Sequence, residues 1–276
     1  QLYKRRKSGG QDVASDHPLY ELLYIQPNKQ QSSYEWREML QAHLCLRGNA
    51  YVYKEMRGDN TVNNLIPLNP LRMSPIVENG TLWYYYTTDT SDPNYHQLPS
   101  HQYKWPEEWV MHLRTISTDG LLGLSPITMG REAIGLASGM EQFGAEGFGK
   151  KPVPGIVVSH NKTLTPDART NLRNSINSFA SDRRFTAMVL EEGMTASSIG
   201  LSNQDSEYIN SRGFQVEDIC RFFNVPPYLI HHGDKTSTFA SAGVVTLNFV
   251  IFSLIAPWIS RWEAIMGRSL LTEKER

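Results

Sequence analysis

The sequence predicts an α+β fold, in which an antiparallel sheet with helices is followed by two long helices that enclose a small insertion. Three observations predict this class. Apolar residues recur at helical spacing in two segments before residue 47. Short runs rich in β-branched and aromatic residues follow, and Asn79-Gly80 between two of them is typical of a hairpin turn. Beyond residue 124 the periodicity becomes helical and glycine-rich.

The composition limits the classes of function. The 276 residues are 40% hydrophobic and 20% charged, which is ordinary for a folded protein and excludes wholesale disorder. Lys and Arg total 27 against 28 Asp and Glu, so the formal net charge is −1. Proteins that hold DNA tightly usually carry a basic excess, because phosphate neutralisation supplies most of the affinity. Any contact with nucleic acid is therefore expected to be weak or confined to local patches.

Cysteine usage and the N-terminus indicate a protein of a reducing compartment. Cys45 and Cys220 are the two cysteines and neither belongs to a CxxC pair, so neither a disulfide framework nor a structural zinc site is expected. The first ten residues lack the apolar run of a signal peptide. We expect a solvated flexible tail, with a partner-binding basic arm as the alternative, and its charges are Lys4, Arg5, Arg6 and Lys7.

The first 120 residues contain the predicted sheet. Helical spacing predicts helices over His17–Ile25 and Ser33–Leu46, and Arg47-Gly48-Asn49 ends the second. An aromatic run near residue 84 is predicted to be strand and core, because Tyr and Trp pack well on a pleated surface, and nothing requires it to stack on bases. Strands are predicted over Ala50–Met56, Thr61–Pro67, Arg72–Val77, Thr81–Thr87 and Trp109–Leu113.

A glycine-rich helix follows. Ser125 as N-cap and Pro126 at the first position predict its start, and it runs to Gly149. Each interior glycine costs about 1 kcal/mol relative to alanine, so several in one helix indicate a gain from close approach. Gly135 and Gly139 are four residues apart, and we expect them to pack against a neighbouring helix.

An insertion is predicted over residues 150–200, with strands at Ile156–Val158 and Phe185–Glu191 around a helix at Asp167–Ala180. A second long helix begins near Ser202 and places Cys220 on an apolar stripe, where we expect it in the core. The sequence Asn224-Val225-Pro226-Pro227 ends this helix.

The C-terminal part combines a loop with an apolar helix. His231–Gly243 is polar and bounded by glycine, which predicts a mobile loop. Val244–Ile259 is shorter than the ~20 apolar residues of a membrane span and contains Pro257. We therefore expect a buried core helix that Trp258 and Trp262 continue.

No motif predicts catalysis. Gly144–Lys151 (GAEGFGKK) nearly matches a phosphate-binding loop, but Lys151 stands where a hydroxyl is needed, Pro152 denies the following helix, and the segment follows a helix where the motif requires a strand. A glycine-capped helix end is expected instead. A nucleotide-binding enzyme that uses Lys150 is kept as an alternative.

Histidines give no site either. His231, His232 and Asp234 lack the distant ligands that a metal site requires, so a solvated loop is expected. His112 and His160 are predicted to be structural. No GxSxG string occurs, and we predict no enzyme, catalytic residue, metal or cofactor.

Taken in order, several stretches resemble the portal proteins of tailed bacteriophages, of the lambdoid Hong Kong type of long-tailed phage. The stretches are LCLRGNAYVY (44–53), IPLNPLRM (66–73), VMHLRTISTDGLLGLSPI (110–127), AIGLASGMEQFGAEGFGKKPVPGIV (133–157), VLEEGM (189–194) and SRGFQVEDICRFFNVPPYLI (211–230). The last is the most specific, and the ordered set covers nearly the whole chain.

The resemblance implies a portal fold with a wing, a two-helix stem, a small αβ clip, a tunnel loop and a following long helix. The implied boundaries are wing 1–124, stem helix 125–149, clip 150–200, second stem helix 201–225, tunnel loop 226–243 and wing or tunnel helix 244–276. The chain ends at LLTEKER, where the family continues, so the crown is expected to be missing.

The resemblance also implies a function: a subunit of a ring-shaped channel, usually dodecameric, at one capsid vertex of the virion, for packaging and ejection of double-stranded DNA. Assembly would occur in the host bacterial cytoplasm. Implied partners are further copies of the chain, DNA, the large terminase, a head-tail adaptor and the major capsid or scaffold protein, without a membrane. A capsid-associated interaction protein without a pore is the alternative.

Two groups of residues become candidates in that reading. In the tunnel loop, the residues expected to approach DNA are Lys235, Thr236, Ser237 and Thr238. Four cations in or beside the clip are candidates for contact with the motor or DNA: Lys150, Lys151, Arg183 and Arg184. A solvated surface explains these four residues equally well.

Overall fold

A computed structural model describes residues 2–6, 8–58, 61–87, 90–99, 104–149, 156–159, 165–181, 195–198, 202–232 and 239–276. The chain divides into two compact units. The first comprises Gln1–Arg131 and Cys220–Arg276, and the second comprises Glu132–Ile219. The long helix that precedes residue 224 belongs to both.

The first unit contains two three-stranded antiparallel sheets, ordered β4-β3-β8 and β5-β6-β7. Short 3₁₀ turns connect several of its elements, and two helices cover one sheet. The bounds are β1 Tyr3–Arg5, β2 Gln11–Val13, α1 Pro18–Tyr24, α2 Ser33–Arg47, β3 Asn49–Met56, β4 Val62–Leu68, β5 Met73–Glu78, β6 Thr81–Tyr86, β7 Lys104–Pro106, β8 Val110–Arg114 and α3 Pro126–Met129.

Strand β3 is the centre of the unit and is buried on both faces. Ala50 and Val52 face a cluster formed with α1 and α2, whereas Tyr51 and Tyr53 face an aromatic cluster with β6 and β7. The aromatic run of β6 was predicted to be strand and core, and the burial of Tyr84 and Tyr86 confirms it.

The predicted hairpin is also confirmed. Asn79 and Gly80 join β5 to β6 with φ values of 52° and 78°, the positive pair that a tight hairpin turn requires. Helix α2 begins with a capping box, in which Ser32 and Glu35 bond to each other's backbone, and ends at Gly48 with φ 76°. A Cβ on Gly48 would lie 2.4 Å from the carbonyl oxygen of Leu124, so two backbone segments cross here.

The N-terminal prediction was wrong. Instead of a flexible tail, β1 and β2 form a hairpin, in which Lys4 pairs with Asp12 across the strands. Gly9 and Gly10 make the turn with φ values near 90°. All six strand residues are exposed, so apolar burial could not reveal the hairpin.

The second unit contains α4 Arg131–Gly149, β9 Ile156–Ser159, α5 Pro166–Ser181, β10 Thr195–Ser198 and the larger part of α6 Ser202–Phe223. Strands β9 and β10 are antiparallel. The predicted strand at 185–191 lies outside the described residues, whereas β10 was not predicted. The glycine-rich helix is not continuous from Ser125, because Gly130 separates α3 from α4.

After α6 the chain forms one extended helical stretch: α7 Phe239–Asn248, a π-helical segment Phe249–Ile259, and α8 Ser260–Leu270. We call these three parts together the apolar helix. The predicted loop to Gly243 was therefore too long, since helix already begins at Phe239. Its predicted burial was also wrong within the single chain, because the π-helical segment has one buried residue, Ser253.

Candidate functional site

The apolar helix exposes a continuous row of large hydrophobic side chains. Val244, Leu247 and Phe252 are 60%, 57% and 64% exposed. The row continues with Ile251, Leu254, Ile255 and Ile259. Isolated apolar residues on a surface need no explanation, but a contiguous patch marks a place where another molecule binds.

The C-terminal half of the same helix is fixed to the first unit. The indole Nε1 of Trp262 donates to Oε1 of Gln41 at 3.0 Å, and its ring meets that of Trp36 edge-on at 5.9 Å. The Nζ of Lys54 donates to the carbonyl of Ser269 at 2.8 Å. Burial lowers the pKa of Lys54, while the carboxylates of Glu108 and Glu107 oppose the shift. The exposed row therefore lies on a helix whose C-terminal half is firmly packed against the rest of the first unit.

A groove runs between this helix and the outer side of α2. Its volume is about 620 Å³, and Tyr34, Gln41, Leu254, Trp258 and Met266 contribute to its walls. Because the groove is continuous with the exposed row, the two form one apolar surface.

By length and composition alone, Thr246–Leu270 could cross a membrane, and 6% of its most apolar window is buried. Its second half, however, carries Arg261, Glu263 and Arg268, and Arg268 forms an ion pair with Glu107 at 2.6 Å. The indole of Trp262 also faces the protein core. These contacts fit a helix that docks on protein better than one surrounded by lipid.

Helices α4 and α6 approach closely within the second unit. The hydroxyl of Tyr208 donates to the carbonyl of Met140 at 2.8 Å, and its ring lies 6.4 Å from that of Phe143. A Cβ on Gly144 would lie 2.2 Å from the Tyr208 hydroxyl oxygen. Glycine at 144 is thus what allows this tyrosine to cross α4.

The two glycines that were predicted to pack against a neighbouring helix behave differently. A Cβ on Gly135 or Gly139 would meet nothing within 4 Å among the residues that the structure describes. Phe143, four residues beyond Gly139, is 71% exposed. The predicted close packing of Gly135 and Gly139 is therefore not made by the part of the chain that the structure describes. Sequence spacing could not distinguish them from Gly144, since the distinction depends on Tyr208.

The candidate cations and loop residues lie outside the described residues: Lys235, Thr236, Ser237, Thr238, Lys150, Lys151, Arg183 and Arg184. Gly144–Gly149 is helical within α4, as expected for a helix end and unlike a phosphate-binding loop. Across the ranges that are described, no three His, Cys, Asp or Glu side chains come together as a metal site would need.

His112 has the structural role that was predicted. Its Nε2 lies 3.0 Å from Oδ1 of Asn49 and its Nδ1 lies 3.2 Å from the hydroxyl of Tyr84. Its ring stacks on Tyr51 at 4.2 Å. Burial, and to a lesser degree the charge of Arg114, hold its pKa well below the usual value. His160 lies outside the described residues, and Cys220 is buried as expected.

The sequence is similar to those of known phage proteins. The sequence model of the family described as phage portal protein matches residues 1–276. The chain is 31% identical to the portal protein of Enterobacteria phage HK97 over 268 residues, which are 95% of this chain and 60% of that protein. It is 28% identical to the probable portal protein of Streptomyces phage phiC31 over 236 residues, 83% of this chain and 51% of that protein. It thus spans less than two thirds of either relative.

The fold is similar to that of a chain in the neck of a native gene transfer agent particle, computed with C12 symmetry. The TM-score is 0.66 at 21% sequence identity, over 91% of this chain and 71% of that chain.

Proposed function

This chain belongs to the phage portal protein family, and we propose that it is one subunit of a closed ring at a capsid vertex, through which double-stranded DNA is packaged and ejected. The family match extends over the full sequence, and a chain of similar fold occurs in a neck computed with twelvefold symmetry. The ring would assemble in the host bacterial cytoplasm and remain in the virion.

The exposed row of the apolar helix is the observation that carries this proposal. A single chain leaves Val244, Leu247 and Phe252 in water, although α8 of the same helix is anchored to the sheet. In a ring, every subunit offers one face to the subunit on each side, and closure leaves no face uncovered. A neighbouring copy would remove the apolar surface from water, which is favourable by about 25 cal/mol per Å².

The outer side of α4 supports the same arrangement. Gly135 and Gly139 are about one turn apart and leave a shallow track beside exposed Leu136 and Phe143. A helix of the next subunit could approach this track closely, because no Cβ stands in the way. The predicted stem packing would then occur between subunits rather than within one.

The channel would hold DNA weakly. The formal net charge is −1, and neutralising many phosphates would tie affinity strongly to salt and resist sliding. In this proposal Lys235, Thr236, Ser237 and Thr238 approach the DNA. Lys150, Lys151, Arg183 and Arg184 would face the motor or the DNA near the clip at 150–200. The large terminase and a head-tail adaptor would dock there, and the major capsid or scaffold protein would contact the wing.

Electron microscopy of the purified full chain, with mass measurement by light scattering, tests the proposal. We expect closed rings with a central hole and a mass near that of twelve subunits. A species that stays monomeric at all concentrations would contradict it. A closed assembly without a hole would also contradict it and favour a capsid-associated interaction protein, and ATP binding by calorimetry would favour the nucleotide-binding alternative.

A further inference from the structure

The hydrogen-bond register of the apolar helix has a gap at Pro257. Phe249–Ile259 is π-helical, and the N–H of Ser260 donates to the carbonyl of Ile255, five residues earlier. In the same register, the donor for the Phe252 carbonyl would be residue 257. Proline has no N–H, so the backbone of residue 257 cannot supply this bond.

A side chain from another segment occupies that carbonyl. The Nδ2 of Asn224 donates to the oxygen of Phe252 at 2.8 Å, across 28 residues of sequence. Asn224 is the first residue after α6, and its φ of 52° lies in the left-handed region. Its N–H donates to the carbonyl of Arg221 at 3.2 Å, and the N–H of Val225 donates to that of Cys220 at 3.0 Å. The helix end therefore holds Asn224 in place.

Two requirements meet at this position. Glycine tolerates a positive φ more easily than asparagine does, so the backbone alone would be satisfied by glycine. Asparagine adds an amide donor of the length that reaches Phe252. Pro257 and Asn224 thus form a complementary pair, since one removes a donor and the other supplies it.

The geometry points to Asn224 as a positioning residue, which ties the last turn of α6 to the apolar helix at the carbonyl that Pro257 leaves open. The bond sets the direction of residues 239–252, which follow the predicted loop residues Lys235–Thr238. This last consequence rests on the proposed function: in a channel, every subunit would hold its loop on a helix that is fixed in the same direction.

A cycle of substitutions separates this role from a general contribution to folding. Asn224→Gly removes the donor and keeps the left-handed backbone. Pro257→Ala restores the N–H that, in the observed π register, can donate to the Phe252 carbonyl from within the helix. Asn79→Gly is the matched control, since Asn79 has the same φ of 52° in an exposed hairpin turn.

Hydrogen exchange of the full chain provides the measurement, with amides of α2 as internal reference. We expect Asn224→Gly to accelerate exchange across residues 249–256 by about fivefold, the factor that one ordinary hydrogen bond represents. In the Pro257→Ala background the same change should have an effect of less than about twofold, and Asn79→Gly should leave this segment unchanged. Equal acceleration in both backgrounds, or none in the parent chain, would overturn the inference.

If exchange in α2 shows that Asn224→Gly unfolds the chain, Asn224→Asp replaces it. Aspartate keeps the size and tolerates the left-handed backbone but has no amide donor. The same dependence on Pro257 is then required, and its absence overturns the inference. The result is independent of ring formation, so a failure here and a failure of the proposed function can be told apart.

Discussion

The Oδ1 of Asn49 lies 3.0 Å from the Nε2 of His112, and the same oxygen accepts the N–H of Gly123 at 2.8 Å. An amide oxygen only accepts, so Nε2 of His112 carries a proton, and burial keeps the pKa of the ring so low that the imidazole is neutral near pH 7. The amide nitrogen of Asn49 donates to the carbonyl of Gly123 at 2.8 Å. Asn49 therefore connects the buried imidazole to the segment that leads into α3.

We expect the stability of the fold to fall below about pH 6.5 because of His112. Its pKa is lowered in the folded state, so on acidification the unfolded chain binds a proton before the native chain does. The loss from this group is at most about 1.4 kcal/mol per pH unit, from the unfolded pKa down to the native one. Urea unfolding between pH 7 and 5.5 should show a steeper decline for the parent chain than for His112→Gln.

Burial also lowers the pKa of His43, whose contribution has the same sign in both proteins and cancels in that comparison. Parallel profiles for parent and variant would show that the fold accommodates a charged His112.

Gly48→Ala should destabilise the chain by more than about 2 kcal/mol. The added methyl group would lie 2.4 Å from the carbonyl oxygen of Leu124, where backbone and not a flexible side chain must move. Gly80→Ala is the control, because Gly80 has nearly the same φ but nothing within 4 Å of its Cβ position. Gly80→Ala should cost about 1 kcal/mol through backbone strain alone. Equal losses of unfolding free energy would refute the close crossing.

Gly139→Ala should affect the single chain and the ring in opposite directions. Alanine is favoured over glycine in a helix interior by up to about 1 kcal/mol, and the Cβ meets no atom of the described residues. The subunit should therefore resist urea better, while rings form at higher protein concentration because the track on α4 is filled. Light scattering over a dilution series measures the second effect. Unchanged assembly would exclude close packing at Gly139.

Leu247→Asp should prevent ring closure and leave the subunit folded. Leu247 is 57% exposed in α7, so the charge is harmless in the single chain but would be buried without a partner in an interface. Leu71→Asp controls for surface charge, since Leu71 is 67% exposed and lies outside the apolar helix. Rings of normal mass from Leu247→Asp would remove this face from the interface.

Deletion of residues 234–238 should reduce packaging and retention of DNA in assembled particles without preventing ring formation. The deletion removes Lys235–Thr238 and stops before α7, which begins at Phe239. DNA content after nuclease treatment gives the packaged fraction, and release over time gives retention. Normal values for both would exclude these residues as the contact with DNA.

Local chemistry made much of the first unit predictable. The Asn79-Gly80 turn and the helix that begins at Ser33 were predicted, because neighbouring residues determine them. Strand β10 (TASS) was not, since its polar residues show no apolar alternation. The close approach at Gly130, where α3 ends, was not readable either, since a Cβ there would lie 2.9 Å from the ring of Phe222, which is distant in sequence.

The apolar helix shows a second limit of prediction from the sequence. Hydropathy predicted an apolar helix over Val244–Ile259, but composition does not reveal whether the same chain or another molecule would cover it. Likewise Gly135 and Gly144 look equivalent in sequence, and only the position of Tyr208 distinguishes them. The periodicity of a sequence carries no information on contacts between distant residues or between copies of the chain.

Strand β3 separates two interiors of different chemistry. Val52 belongs to an interior with Leu40, Leu65 and the indole of Trp36, and Tyr53 to one that includes Tyr84 and Trp105. If β3 shifted by one residue relative to β4 or β8, Tyr51 and Tyr53 would turn toward the leucines of the first interior. Voids would open in the interior that the two tyrosines had left. A shifted strand pairing is therefore unfavourable on both faces of β3, and this part of the protein has a single way to align its strands.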